Sequence, residues 1–386
     1  MLLRNILFCM LYTCLFLPHA QGTVAWQGPT TAYIGFPGVS TERYAFLGKY
    51  STSFEARETG EVMSSTALDI VNPLYTYVVR FPEIIPFENC SLLQRCWNGF
   101  WRKRVWARQT GMQFSPNSSL GCSIASYGVD RTKVSMGSAS DLAAVEGLLS
   151  RVCGAMSYLL PQDRPHYVWL AYSRGVMAVL RYFSICPEPY RPQALILEGG
   201  IDEIPHFLGH LFDTHVPEWF KARQKPAWLM KTLLWGFKYF YAPGCSEVLS
   251  HSMKAALQAI PDNVPVLLVA SLGDELVSYR CMVRMYDTLR RIRRDRGASD
   301  DNVHLLVLQH ARHSYYVNGA SNALARNLYQ TCVHAFYKKY GLAYDAKLAE
   351  QGRDIFSRTH HDQASVHELL SVQSQPPCSV CATHRA

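Results

Sequence analysis

Beyond residue 22 the sequence has no apolar run long enough to cross a bilayer, since a spanning helix needs about 20 consecutive apolar residues. The expectation is therefore a mature chain that is soluble or only peripheral. There is no internal repeat. Only one CxxC pair that bears on metal occurs, at Cys378 and Cys381. No second pair stands at a regular spacing. So although His360, His361, His367 and His384 lie nearby, no metal is expected to be held there. Charged residues are few, 18% against 48% hydrophobic, the balance of a globular protein with a substantial core. The net charge of +8 admits acidic partners without arguing for them.

What is present begins with the N-terminus, MLLRNILFCMLYTCLFLPHAQG. One arginine, Arg4, precedes an apolar run over 6–17, and the small residues Ala20 and Gly22 follow. This is the layout of a cleaved secretory signal over 1–22, with an uncleaved anchor as the alternative. The expected location is therefore the exterior or the lumen of the secretory pathway (the periplasm or exterior in a bacterium). Two of the 12 cysteines, Cys9 and Cys14, leave with that segment. The even number remaining suggests disulfides, with Cys90 and Cys96 as a local pair. Asn89 and Asn117 stand in glycan-acceptor triplets. The basic and aromatic run WNGFWRKRVWAR at 97–108 would suit nucleic acid in another setting. In an exported chain it reads as a solvated amphipathic helix, or as a peripheral contact with lipid.

The second half alternates in kind. Residues 166–172 (HYVWLAY), 194–197 (ALIL), 264–270 (VPVLLVA) and 303–308 (VHLLVL) are short and almost wholly apolar, as strands buried on both faces must be. Amphipathic stretches at 176–183, 280–296 and 320–340 lie between and after them, the last stopped by Gly341. Strand-helix alternation means a parallel sheet covered by helices. In the first half, 31–38 reads as a short strand running into a Gly/Pro loop, 76–81 reads as a strand, a helix starts near residue 41, and 141–160 reads as a helix capped by Ser140. Residues 202–262 are rich in aromatics but hold no strand-like run. They read as a helical lid of two or three helices over one end of the sheet. Residues 86–121 read as a further insertion, and 343–386 as an extension that is disordered in part.

The stretch YVWLAYSRGVMAVLRYF, residues 167–183, joins a strand to a helix through Ser173. A tight turn there pushes the hydroxyl out at the carboxyl end of the sheet and aims the next N–H the same way. It also demands small residues two places either side, here Ala171 and Gly175. In this the chain resembles the α/β-hydrolase superfamily, whose elbow is G-x-S-x-G, with Ala171 in place of the first glycine. The resemblance covers roughly residues 31–341 and is firm from 167 onward. It implies an acid and then a histidine, each after a later strand. Asp274, in LGDELV, and His313, in HARHS, stand in those places. Glu275 and Asp202 are competing acids, and His310 is a competing base. The segment IGFPG at 34–38 resembles the superfamily's H-G-F-P-G loop with Ile34 in place of the histidine. On that match the N–H groups of Phe36 and Arg174 form the oxyanion hole. Few residues precede this strand, so the superfamily's first strands are missing or supplied elsewhere.

The fold expectation is thus an α/β-hydrolase domain over 23–342, a mostly parallel sheet flanked by helices with a helical lid. The functional expectation is a secreted serine hydrolase needing no cofactor and acting on a hydrophobic acyl substrate as a lipase, carboxylesterase or thioesterase. Serine peptidase, acyltransferase and catalytically inactive binding protein are the alternatives, and nucleic acid is not an expected partner.

Overall fold

Short apolar runs alternating with amphipathic ones leave the chain one economical arrangement: a sheet sealed between two helix layers. A computed structural model of the chain describes residues 26–36, 76–78, 137, 139–156, 164–215, 231–232, 234–235, 253–313, 316 and 323–371. The N-terminal signal, both glycan triplets, the insertion at 86–121, the helix expected near residue 41 and the pair Cys378 and Cys381 lie outside those residues.

In chain order come β1 (Trp26–Gln27), β2 (Thr31–Phe36), β3 (Thr76–Val78), α1 (Ala139–Met156), β4 (His166–Tyr172) and α2 (Arg174–Phe183). Then follow β5 (Ala194–Glu198), α3 (Ile204–His215), α4 (Met253–Gln258), β6 (Val266–Ser271) and α5 (Tyr279–Asp295). Last are β7 (Val303–Leu308), α6 (Ala323–Lys339), β8 (Tyr344–Asp345), α7 (Ala346–Ser357) and α8 (Gln363–Ser371). Strands β2 to β7 form one sheet in the order β3-β2-β4-β5-β6-β7, every pair parallel. Their register runs in phase: Phe36 is opposite Ala171, Ala171 opposite Leu197, Leu197 opposite Leu268, and Leu268 opposite Leu305. The carboxyl ends of the strands therefore form one edge.

Alternation along each strand divides the core in two. Trp169, Leu197 and Leu268 face α1, α2 and α5 in one cluster, while Leu170, Ile196 and Leu267 face α6 and α7 in the other. All six are 0% exposed, which is why these strands read as unbroken apolar runs.

Several expectations need correction. The helix expected to be capped by Ser140 begins at Ala139, with Ser140 inside its first turn. The group near its start is Asp141, whose Oδ2 accepts the Gly137 N–H at 2.7 Å. The domain does not close at residue 342. Beyond Gly341, which adopts φ 67° at the end of α6, β8 pairs antiparallel with β1 and α7 crosses α6 in direct contact. A Cβ at Gly352 would lie 1.9 Å from the Thr331 carbonyl oxygen, so only glycine fits. Helix α8 buries Val366 in the core cluster on the other face. Among the described residues no strand continues the sheet beyond β3, and β1 serves the β8 ladder instead. The end of the expected lid is core as well: in and after α4, Leu257 and Ile260 are 0% and 1% exposed. Four cysteines expected to enter a disulfide framework, Cys153, Cys186, Cys281 and Cys332, are free and buried. Burial pushes the thiols of Cys153 and Cys186 up to about 11 and about 12, so both stay protonated and unreactive.

Candidate active site

Ser173 follows directly on β4 and precedes α2. Its backbone stands at φ 54° and ψ −122°, the one described non-glycine residue with positive φ. Such a conformation costs about 1–3 kcal/mol and persists only where its surroundings enforce it. They do so here. The Ser173 N–H donates to the Glu198 carbonyl at 2.9 Å, and the Val176 N–H returns to the Ser173 carbonyl at 3.1 Å. Gly200 presses on the first turn of α2, where an added Cβ would meet Val176 Cγ1 at 2.5 Å.

The loops after β6 and β7 are joined through Ser271. Its hydroxyl donates to the Ala311 carbonyl at 2.5 Å and accepts the Gly273 N–H at 3.1 Å. Just past this joint sit Asp274 and His313, whose N–H reaches Glu275 Oε2 at 3.3 Å. His313 Nδ1 lies 2.8 Å from Asp274 Oδ2, and His313 Nε2 lies 3.0 Å from Ser173 Oγ. A carboxylate can only accept, so Nδ1 carries the proton and Nε2 faces the serine hydroxyl with its lone pair. Ser173, Asp274 and His313 are 8%, 4% and 8% exposed. This is a hydroxyl aligned with a base and a base aligned with an acid, the arrangement that can turn a weak nucleophile into a working one.

The order is serine after β4, acid after β6 and histidine after β7, all at the carboxyl edge of one parallel sheet. The chain has the α/β-hydrolase fold. No known sequence family and no curated protein matches the chain. Among solved structures, an esterase from Pyrococcus furiosus overlaps it at 14% identity and a TM-score of 0.39, over 82% of this chain and 84% of that one. An acylaminoacyl peptidase from Pyrococcus horikoshii overlaps at 14% identity and 0.36, over 60% and 31%. TT1662 from Thermus thermophilus does so at 10% identity and 0.38, over 81% and 90%. The fold assignment rests on the strand order and the serine-bearing turn, not on these overlaps.

Within this fold the competing residues fall elsewhere. His310 is exposed, its backbone pressed against Gly273. Asp202 belongs to a different network: Arg284 Nε donates to its Oδ2 at 2.5 Å, and His206 Nδ1 lies 3.0 Å from the same oxygen. Burial pushes the Asp202 carboxyl up, but the bonds from Arg284 and Cys281 outweigh this and hold it below its ordinary value. Of the two expected oxyanion donors, Arg174 opens α2 directly after the serine. Its side chain turns away to Asp141. Phe36 ends β2 beside Ala171, and its ring meets Trp169 in a tilted contact at 5.4 Å between centroids. The rest of the loop, from residue 37, lies outside the described residues.

Sequence reasoning missed Tyr316. Its hydroxyl donates to Asp274 Oδ2 at 2.7 Å, the oxygen that His313 uses. Nothing in the spacing of the second of two adjacent tyrosines, three residues past a histidine, announces this. It exists only once two loops meet. One described group of side chains is close enough together to suggest a metal, namely Asp300, Asp301 and His360. The Arg290 guanidinium already contacts Asp300 Oδ2 at 2.6 Å and His360 Nε2 at 3.0 Å, so the cluster reads as an ion-pair network.

Proposed function

We propose that the protein is a serine hydrolase that cleaves esters of hydrophobic acyl groups through an acyl-enzyme on Ser173. The observation carrying this reading is the hydrogen-bonded line Ser173 Oγ, His313 Nε2, His313 Nδ1, Asp274 Oδ2, with steps of 3.0 and 2.8 Å between residues. In this scheme His313 takes the hydroxyl proton as Oγ attacks the carbonyl carbon. Asp274 holds the ring in the correct tautomer and steadies its positive charge. The N–H groups of Arg174 and Phe36 receive the oxyanion. As the tetrahedral intermediate collapses, the alcohol leaves with the proton from His313. Water, activated by the same imidazole, then releases the acid and restores the serine. Every group comes from the chain itself, so the scheme uses no cofactor.

The apolar cluster beside the serine supports the acyl preference. Met177 lies one helical turn past Ser173, Val277 lies just past Asp274, and both pack with Ile201 and Ile204. We read the part of 202–262 that precedes α4 as the lid over this cluster, and the chain as exported with a mature N-terminus near Thr23. The deciding test is covalent labelling by a fluorophosphonate. Wild-type protein labels at Ser173 with one equivalent, and Ser173→Ala, folded by circular dichroism, does not. Equal labelling of the two would end the reading.

A further inference from the structure

The Asp274 carboxylate receives four donors, two on each oxygen. Oδ1 accepts the N–H groups of Leu276 at 2.9 Å and Val277 at 2.8 Å. Oδ2 is shared between His313 Nδ1 at 2.8 Å and the Tyr316 hydroxyl at 2.7 Å. The Leu276 and Val277 bonds are local and fix where the acid sits. The other two compete for one oxygen.

We propose that Tyr316 is a positioning residue whose phenol shares Asp274 Oδ2 with His313 and so sets both the angle of the imidazole and how firmly it holds a proton. This rests on the triad reading above. Three features support it. The phenol is 1% exposed, and burial, with the charge of Asp274 and then of Glu198 nearby, raises it far above its ordinary value. It is therefore a neutral donor at every working pH. The backbone has also been shaped around it. Gly199 takes φ 50°, and a Cβ there would lie 3.0 Å from the Tyr316 oxygen and 3.3 Å from Asp274 Oδ2. Finally, the donor comes from the histidine's own loop, three residues past His313, so the bond ties that loop to the acid at a second point.

The other polar groups near this oxygen are accounted for. Glu198, at the end of β5, accepts the Tyr329 hydroxyl of α6 at 3.0 Å. His210 of α3 reaches the Asp274 carbonyl at 3.3 Å, not its carboxylate. Glu275, on the acid's own loop, accepts the His313 N–H. None of these donates to Oδ2, so among the described residues removal of the Tyr316 hydroxyl leaves that oxygen to His313. A carboxylate oxygen with one donor fewer carries more charge toward the imidazolium, and His313 then keeps its proton to higher pH.

The test is Tyr316→Phe, read as the rate of fluorophosphonate inactivation across pH, with Tyr329→Phe as the buried-phenol control. Tyr316→Phe should still label at Ser173, about tenfold or more slowly at neutral pH, as expected for loss of a bond to a charged group. Its acidic limb should move to higher pH. Tyr329→Phe should keep the wild-type limb. Should Tyr316→Phe fold poorly, 3-fluorotyrosine placed at 316, a stronger donor of nearly equal size, should move the limb to lower pH. A limb unmoved in the folded variant, or moved equally by Tyr329→Phe, overturns the proposal while leaving Ser173 in place. A wild type that never labels removes the triad reading, and this proposal with it.

Discussion

Arg174 Nη2 lies 3.1 Å from Asp141 Oδ1, and the two side chains are 1% and 0% exposed. The pair joins α1 to the residue directly after the serine, and the other carboxylate oxygen binds the Gly137 N–H. Charges this deep stabilise only as a pair, because either one alone must bear its desolvation without return. Asp141→Ala should therefore cost about 3–5 kcal/mol, seen as a lower urea midpoint at pH 7. The double variant Asp141→Leu with Arg174→Met should regain most of that loss. It should also still label at Ser173, since the oxyanion donor proposed at 174 is the backbone N–H. A loss under about 1 kcal/mol in Asp141→Ala would mean the pair adds only packing.

The strain at Ser173 can be measured directly. Glycine adopts φ 54° freely, whereas alanine carries the same Cβ as serine. Ser173→Gly and Ser173→Ala should both be inert to fluorophosphonate, but the glycine variant should be the more stable. Relief of about 1–3 kcal/mol, less about 0.4–1 kcal/mol for the freer unfolded chain, leaves roughly 1 kcal/mol in its favour. Equal melting temperatures would show that the turn stores no strain.

The strand at His166–Tyr172 and the one at Val303–Leu308 were legible to the residue because strands buried on both faces have no polar side to confuse the pattern. Ser173, Asp274 and His313 were legible as a set because each follows such a strand. The features that hold them were not. Ser271, Gly200 and Tyr316 act across loops far apart in sequence, and no local period records that. The tail misled for a different reason. Helix α7 meets α6 through Gly352, and the missing side chain that permits so close an approach leaves no mark in the apolar pattern.

Asp274 and Asp202 are both buried acids at the same edge of the sheet, and substitution should separate them. Asp274→Asn removes the carboxylate on His313 Nδ1 and should lower the inactivation rate by about 10⁴, the loss seen when a triad acid becomes an amide. Asp202→Asn should leave the rate within a few-fold. It should instead cost about 1–2 kcal/mol of stability through the bond to Arg284, whose side chain is 33% exposed. The reverse pattern would move the acid to the loop after β5.

His304 should make the fold sensitive to acid. It is 2% exposed on β7, with Nδ1 3.0 Å from Thr359 Oγ1 and Nε2 2.7 Å from Tyr340 Oη. Burial, aided by the charges of Lys339, His360 and Arg293, depresses it to about 3. The folded state keeps this imidazole neutral while the unfolded chain protonates it near pH 6.5. Between those values unfolding takes up a proton, so its contribution is full above about pH 6.5 and is lost as pH falls toward about 3. The slope is up to about 1.4 kcal/mol per pH unit. His304→Gln should flatten stability against pH in that window by up to one proton, measured from urea midpoints at successive pH values. An unchanged slope would place the uptake on another group.

The acyl preference is tested by a ladder of p-nitrophenyl esters. Met177 and Val277 stand beside the serine and the acid, and Ile204, Phe207 and Leu208 of α3 pack toward them. A side chain set of this kind can accept methylenes from water at about 0.8 kcal/mol each, or roughly fourfold in kcat/KM per carbon while the apolar contact lasts. Efficiency should rise from acetate through at least octanoate. Met177→Ala should stop the rise early without changing the rate on acetate by more than a few-fold, because the lost surface touches the tail and not the carbonyl. A maximum at acetate would mean that this cluster only packs α3 onto the core. The substrate would then be a short acyl ester or a peptide.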